Sequence, residues 1–197
     1  MLTKKPAVWC QHSIFFALFS FIGWTFSFLA VTAEDSHPSK LSTPDNNRIE
    51  QVSPSTKISS NTVRGYMNWI VRQTGWATAD IPPIKITSLA HMSEMLLGPS
   101  SGLEGIIQPK ALYSKNERLI YLAESWNKND LLDQSIFVHE LVHHLQVENH
   151  IQFECWGRYE AQAYELQIQW LRAQGVKDPY NLLHASRTAI ESLAVCP

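Results

Sequence analysis

The sequence predicts a mixed α+β domain built on a small sheet, and three observations predict it. Apolar residues recur at helical spacing from about 61 to 74, again around 133–146, and again from about 158 to 173. Between the first and second of these helices lie four short runs suited to strands, at 84–87, 105–107, 111–113 and 119–122. The runs are separated by Gly, Pro, Ser and Asn, the residues that turn a chain.

Length and charge bound what such a domain can do. A chain of 197 residues has room for one ordinary domain and a targeting segment. The formal charge is −2 and the longest basic cluster is Lys4-Lys5, so no positive field exists for nucleic acid, and that class is set aside. Lys4 and Lys5 precede an apolar run from Ile14 to Val31, then Val31-Thr32-Ala33 and the acidic pair Glu34-Asp35. This reads as a signal peptide over residues 1–33, cleaved after Ala33. The competing reading is an uncleaved anchor, because a run of about 18 apolar residues can just cross a bilayer. Both place the rest of the chain outside the cytoplasm, periplasmic or secreted, and touching a membrane only through that segment. Residues 34–59 are rich in Ser, Thr, Pro, Asn and Lys and read as a flexible linker, which leaves 60–197 for the domain. With Cys10 in the signal, Cys155 and Cys196 are the pair left in the mature chain, and in an oxidising compartment they are expected to form a disulfide.

The elements follow in order. Val63, Tyr66, Met67 and Ile70 give the first helix its apolar face, with Gly75 as its stop. Ile81-Pro82-Pro83 turns the chain into a strand at Ile84–Thr87, followed by a short helix near His91–Leu97 and a Gly98–Gly102 loop. Strands are expected at Gly105-Ile106-Ile107, Ala111–Tyr113 and Leu119–Leu122, the last two joined by a turn at Ser114–Glu117. The strand at Leu119–Leu122 precedes the next helix and could offer an unpaired edge to an extended peptide. That helix is capped by Asp130 or Asp133, and a loop from Glu148 to Gly157 follows it. The helix from about Arg158 to Ala173 stops at Gly175 and Pro179. Tyr180 to Val195 reads as one last amphipathic segment.

Chemistry enters with His139-Glu140-Leu141-Val142-His143, an HExxH pattern on the second long helix. At about 100° per residue the two histidines lie within about 40° of each other and one turn apart, so both can reach one ion. Glu140 lies about 100° from His139, beside the ligand stripe, where a carboxylate can take a proton from activated water. A catalytic zinc site usually takes three protein ligands. The candidates downstream are Glu148, His150, Glu154, Cys155, Glu160 and Glu165. Glu160 shares a helix face with Tyr159, Ala163, Tyr164, Leu166, Gln167, Trp170 and Leu171, whereas Glu165 sits with Gln162, Gln169 and Arg172. A carboxylate on a core-facing stripe needs a partner, so Glu160 is the leading third ligand, ahead of Glu154 and then Glu165. The alternative is a buried Glu160 that hydrogen-bonds a ligand histidine without touching the metal.

His139-Glu140-x-x-His143 followed by Glu160-Ala161-x-Ala163 on a second helix resembles the gluzincin branch of the zincin-like metallopeptidases, and in size the compact minigluzincins. The resemblance covers about residues 60 to 175, and its specific part is the two helices. It implies one Zn2+ held by His139, His143 and Glu160, Glu140 as catalytic base, and a peptide or protein substrate lying along the strand at Leu119–Leu122. The chain departs from the larger members in showing no obvious second domain with a transition-state His or Tyr. Tyr164, Tyr121, His144 and His184 are the residues left for that part, and Gln146 reads as a polar residue on the rim. Two other readings stay open: a zinc-binding but non-catalytic peptide- or envelope-binding module, and a structural domain without metal.

Overall fold

The computed structural model describes residues 57–97 and 108–197. Their elements run α1 (Ser60–Thr74), β1 (Ile84–Thr87), α2 (Leu89–Leu97), β2 (Ala111–Ser114), β3 (Leu119–Ala123), α3 (Leu131–Glu148), α4 (Trp156–Ala173), α5 (Pro179–Leu182) and α6 (Arg187–Leu193). The domain is mixed α+β, with six helices and one three-stranded sheet among the described residues. The expected export segment, most of the linker, the Gly98–Gly102 loop and the strand at Gly105-Ile106-Ile107 lie outside them. No helix among the described residues is long and apolar enough to cross a membrane.

Local chemistry sets the helix limits. Ser59 Oγ accepts the Thr62 N–H at 3.1 Å at the start of α1. Gly75, at φ 72°, ends it by donating its N–H to Val71 O, a left-handed turn that glycine takes without a steric penalty. Of the two expected caps for α3, Asp130 serves, accepting the Asp133 N–H at 2.9 Å. Asp133 is buried instead, where it accepts the Asn127 N–H at 2.8 Å and pairs with Lys110 at 3.4 Å. The last amphipathic segment falls in two short helices, each with its own start. Asp178 caps α5 and Ser186 caps α6, and His184 turns between them at φ 50°.

The sheet order is β1-β3-β2, with β1 parallel and β2 antiparallel to β3. Ile120 and Leu122 face the main core with Val63, Met67 and Ile70 of α1, Phe137 and Leu141 of α3, and Ala163 and Trp170 of α4. Tyr121 and Ala123 face the other way and meet Met92 of α2. This corrects the expectation of an open edge at Leu119–Leu122. A strand buried on both faces takes the centre of a sheet, and β3 is bonded on both sides. Among the described residues the strand with one free side next to α3 is β2.

α3 and α4 pack against each other along their length, and Ala163, fully buried, keeps side-chain bulk out of their interface. α4 starts two residues before the expected Arg158. Its N-cap, Cys155, makes no side-chain cap bond and is held by the expected disulfide to Cys196. α6 lies so close to this end that a Cβ on Gly157 would collide with the Leu193 carbonyl oxygen. Gly65, in the exposed middle of α1, has open space around its Cα. Gly157→Ala is therefore expected to lower stability by about 1–3 kcal/mol through overpacking, and Gly65→Ala to raise it by up to about 1 kcal/mol. Urea unfolding of the two variants side by side checks both signs.

Candidate metal centre

One helical turn separates His139 from His143, and both side chains leave α3 toward α4. α4 answers with Trp156, Glu160 and Tyr164, each four residues from the next and so on one face. The Trp156 ring stacks on His143 with centroids 5.7 Å apart and planes 21° apart. The Tyr164 ring meets His139 edge-on at 4.6 Å. Glu160 lies between them, with Oε2 3.3 Å from His139 Nε2 and Oε1 3.3 Å from His143 Nε2. The two Nε2 atoms are 3.1 Å apart.

The hydrogen bonds behind the imidazoles decide which nitrogen carries the proton. Ser135 donates its hydroxyl to Leu132 O at 2.7 Å, so its oxygen accepts from Gln167 Nε2 at 3.0 Å. That fixes the amide, and Gln167 Oε1 accepts from His139 Nδ1 at 3.1 Å. On the other histidine, Gln146 Nε2 donates to Tyr159 O at 3.1 Å, leaving Gln146 Oε1 to accept from His143 Nδ1 at 2.9 Å. In the neutral imidazoles both protons thus sit on Nδ1, and both Nε2 lone pairs point into the space beside Glu160.

Charge follows from that geometry. Burial alone would lower the His143 pKa, but the charge and hydrogen bond of Glu160 outweigh it, Glu140 and Gln146 add to them, and it is pushed up to about 9. Burial would raise the Glu160 carboxyl, yet His143 and His139 hold it well below the usual carboxylate range. The pair asks for positive charge. A metal fits as well as a proton does: ligand atoms of His139, His143 and Glu160 lie within 4.8 Å of one another. The two Nε2 atoms are 3.1 Å apart and each lies 3.3 Å from a different oxygen of Glu160, close to the roughly 3.3 Å that separates ligand atoms around a tetrahedral ion with bonds of about 2.0–2.1 Å.

Glu140 is buried beside the two histidines, and its Oε2 accepts the Tyr113 N–H of β2 at 2.8 Å. Behind β2, the Tyr113 hydroxyl donates to His144 Nδ1 at 3.3 Å, and His144 Nε2–H donates to Asp80 O at 2.9 Å. Burial lowers the His144 pKa, so this imidazole is neutral and ties α3 to β2 and to the segment before β1.

Of the six candidates for third ligand, the fold brings Glu160 to the histidines. Glu154 and Glu165 are exposed and pair with Arg158 and Gln169, and Glu148 pairs with Arg118. Cys155 is in the disulfide and His150 is exposed. Of the four residues left for a transition-state role, Tyr164 reaches the site. Tyr121 donates to Glu117 on the far face of the sheet, His184 is exposed, and His144 is held behind β2. Gln146 is no rim residue: it is 2% exposed and serves His143. Sequence reasoning did not assign Gln167, although its place seven residues after Glu160 on the same face was the available signal. Trp156 was missed because the helix begins earlier than expected. Among the described residues its Nε1 is buried without a hydrogen-bond partner, so stacking on His143 and Tyr159 positions the ring.

Residues 55–192 match the model of a domain of unknown function, DUF6647, and the chain belongs to that family. No curated protein and no solved structure matches it.

The raised pKa of His143 gives a signed prediction for the metal-free protein. A group whose pKa rises on folding stabilises fully below its ordinary value of 6.5 and ceases to do so as pH passes its folded value of about 9. In excess chelator the melting temperature is expected to fall between those two pH values. With zinc present, deprotonated imidazoles are the binding form, and the fall should disappear. A metal-free melting temperature that is level across this window would refute the His143–Glu160 pairing.

Proposed function

We propose that this chain is an exported zinc-dependent hydrolase, a compact metallopeptidase of zincin-like, gluzincin type. His139, His143 and Glu160 hold one Zn2+ and Glu140 is the general base. The observation that carries the reading is the convergence of two imidazole lone pairs and a carboxylate at 3.1–3.3 Å, beside a separate buried carboxylate. Two histidines and one glutamate are a catalytic rather than a structural zinc set.

Bound zinc supplies Lewis acidity, making a water ionise near neutral pH and polarising a substrate carbonyl. Glu140 takes the proton from the attacking water and returns it to the leaving amine. The Tyr113 N–H holds that carboxylate on the side of α3 facing β2. An extended peptide pairing with the side of β2 that no described strand occupies would meet the Tyr113 N–H and lie across the same space, which favours a peptide as substrate. Tyr164 stands against His139, and burial, with Glu160 and Glu140 nearby, pushes its pKa up to about 12. Its hydroxyl therefore stays protonated and can donate to the oxygen that gains charge. The Cys155–Cys196 disulfide supports an oxidising compartment and hence export.

One observation favours a second reading, a zinc-holding peptide- or envelope-binding module: the Tyr113 N–H already engages the Glu140 carboxylate. Cleavage profiling of a mixed peptide library by mass spectrometry, with Glu140→Gln run in parallel and zinc content measured in both, separates the two. A peptidase is expected to lose about 10²–10⁴-fold in rate in the variant while zinc stays stoichiometric. Stoichiometric zinc with no cleavage by either protein would leave the binding module. Glu160→Gln that retained tight zinc would remove Glu160 from the ligand set. Tyr164→Phe is expected to lower kcat without changing zinc content.

A further inference from the structure

We propose that Gln146 and Gln167 are paired positioning residues that select the metal-facing nitrogen of each histidine and keep the site at a single negative ligand charge. The proposal rests on the metal reading above. Both amides are 2% exposed, and a buried amide is costly unless its hydrogen bonds are made. Each is therefore locked in one orientation by what lies behind it.

The locks end on backbone carbonyls, which can only accept. Tyr159 O takes one proton of Gln146 Nε2 and Gln162 Oε1 takes the other at 3.0 Å. Leu132 O takes the Ser135 proton, and Ser135 Oγ then accepts from Gln167 Nε2. Flipping either amide would set a carbonyl against an acceptor and an NH2 against Nδ1–H. For Gln146 the flip is excluded by Tyr159 O, and for Gln167 it would cost the Ser135–Leu132 bond, so both amides disfavour the tautomer that would put a proton on Nε2 where the metal belongs. The same arrangement serves both histidines, from Gln146 on α3 and from Gln167 on α4.

The neutrality of the amides has its own effect. A ligand histidine often donates its second N–H to a carboxylate, which raises its basicity. Here both acceptors are uncharged, so Glu160 brings the only formal negative charge to the ligand set. The cation is held by fixed geometry and keeps more of its charge for the open side of the site.

Zinc affinity by chelator competition tests this without reference to catalysis. Gln167→Leu and Gln146→Leu are each expected to weaken zinc about 10–100-fold. Gln167→Glu, which restores an acceptor and adds charge, is expected to bind at least as tightly as the wild type. NMR of the zinc-loaded protein should show slowly exchanging Nδ1 protons on His139 and His143, and Gln167→Leu should lose the His139 signal alone. Wild-type affinity and an intact His139 signal in Gln167→Leu would overturn the positioning role, as would Gln167→Glu binding more weakly than Gln167→Leu. A folded wild type that takes no zinc would overturn the metal reading itself, a distinct result.

Discussion

Two imidazole nitrogens with their lone pairs turned toward each other, and a carboxylate closing the third side, cannot rest at hydrogen-bond distance without positive charge among them. That constraint organises the domain. Holding the partly buried Glu160 against two imidazoles is unfavourable unless a cation or a protonated histidine answers it. The two helices must therefore approach closely enough to bring the three groups together and rigidly enough to keep them there. Buried Ala163 permits the approach, while Phe137, Leu141, Leu166 and Trp170 fill the space on the core side of the same helices.

The sheet contributes position rather than ligands. β3, buried on both faces, anchors the layer, and β2 hangs from it with Tyr113 directed at α3. One residue thereby does two things: its N–H steadies the Glu140 carboxylate, and its hydroxyl reaches His144. Because His144 also donates to Asp80 O, the chain before β1 is coupled to the helix that carries the paired histidines. Disturbing the Asp80 segment would reach Glu140 through three hydrogen bonds, by way of His144 and Tyr113.

Periodicity made the helices legible, because α1 and α4 each show an apolar face and end at glycine or soon before it. His139 and His143 could be read from spacing alone, and Glu160 from its place on an apolar stripe. The role of β3 was misjudged because alternation and length say where a strand is but not which neighbours pair with it. The C-terminal segment is legible in sequence only as amphipathic, because the Ser186 cap has meaning only once the chain is seen to turn at His184. Gln146 and Gln167 were the hardest to read. A glutamine on a helix is ordinary at the surface, and only the burial produced by the α3–α4 packing turns its amide into an orienting group.

One property of the hairpin formed by α3 and α4 reaches beyond the site. Both histidines, Glu160, both glutamines and Ser135 fall between Ser135 and Gln167, and the connection between the helices is short. Once α3 and α4 have formed, the connection at 149–155 is all that must close to bring the polar network together. The strands, α1 and the disulfide-tied C-terminus frame that hairpin, and through Tyr113 and Asp80 the frame in turn steadies Glu140 and His144.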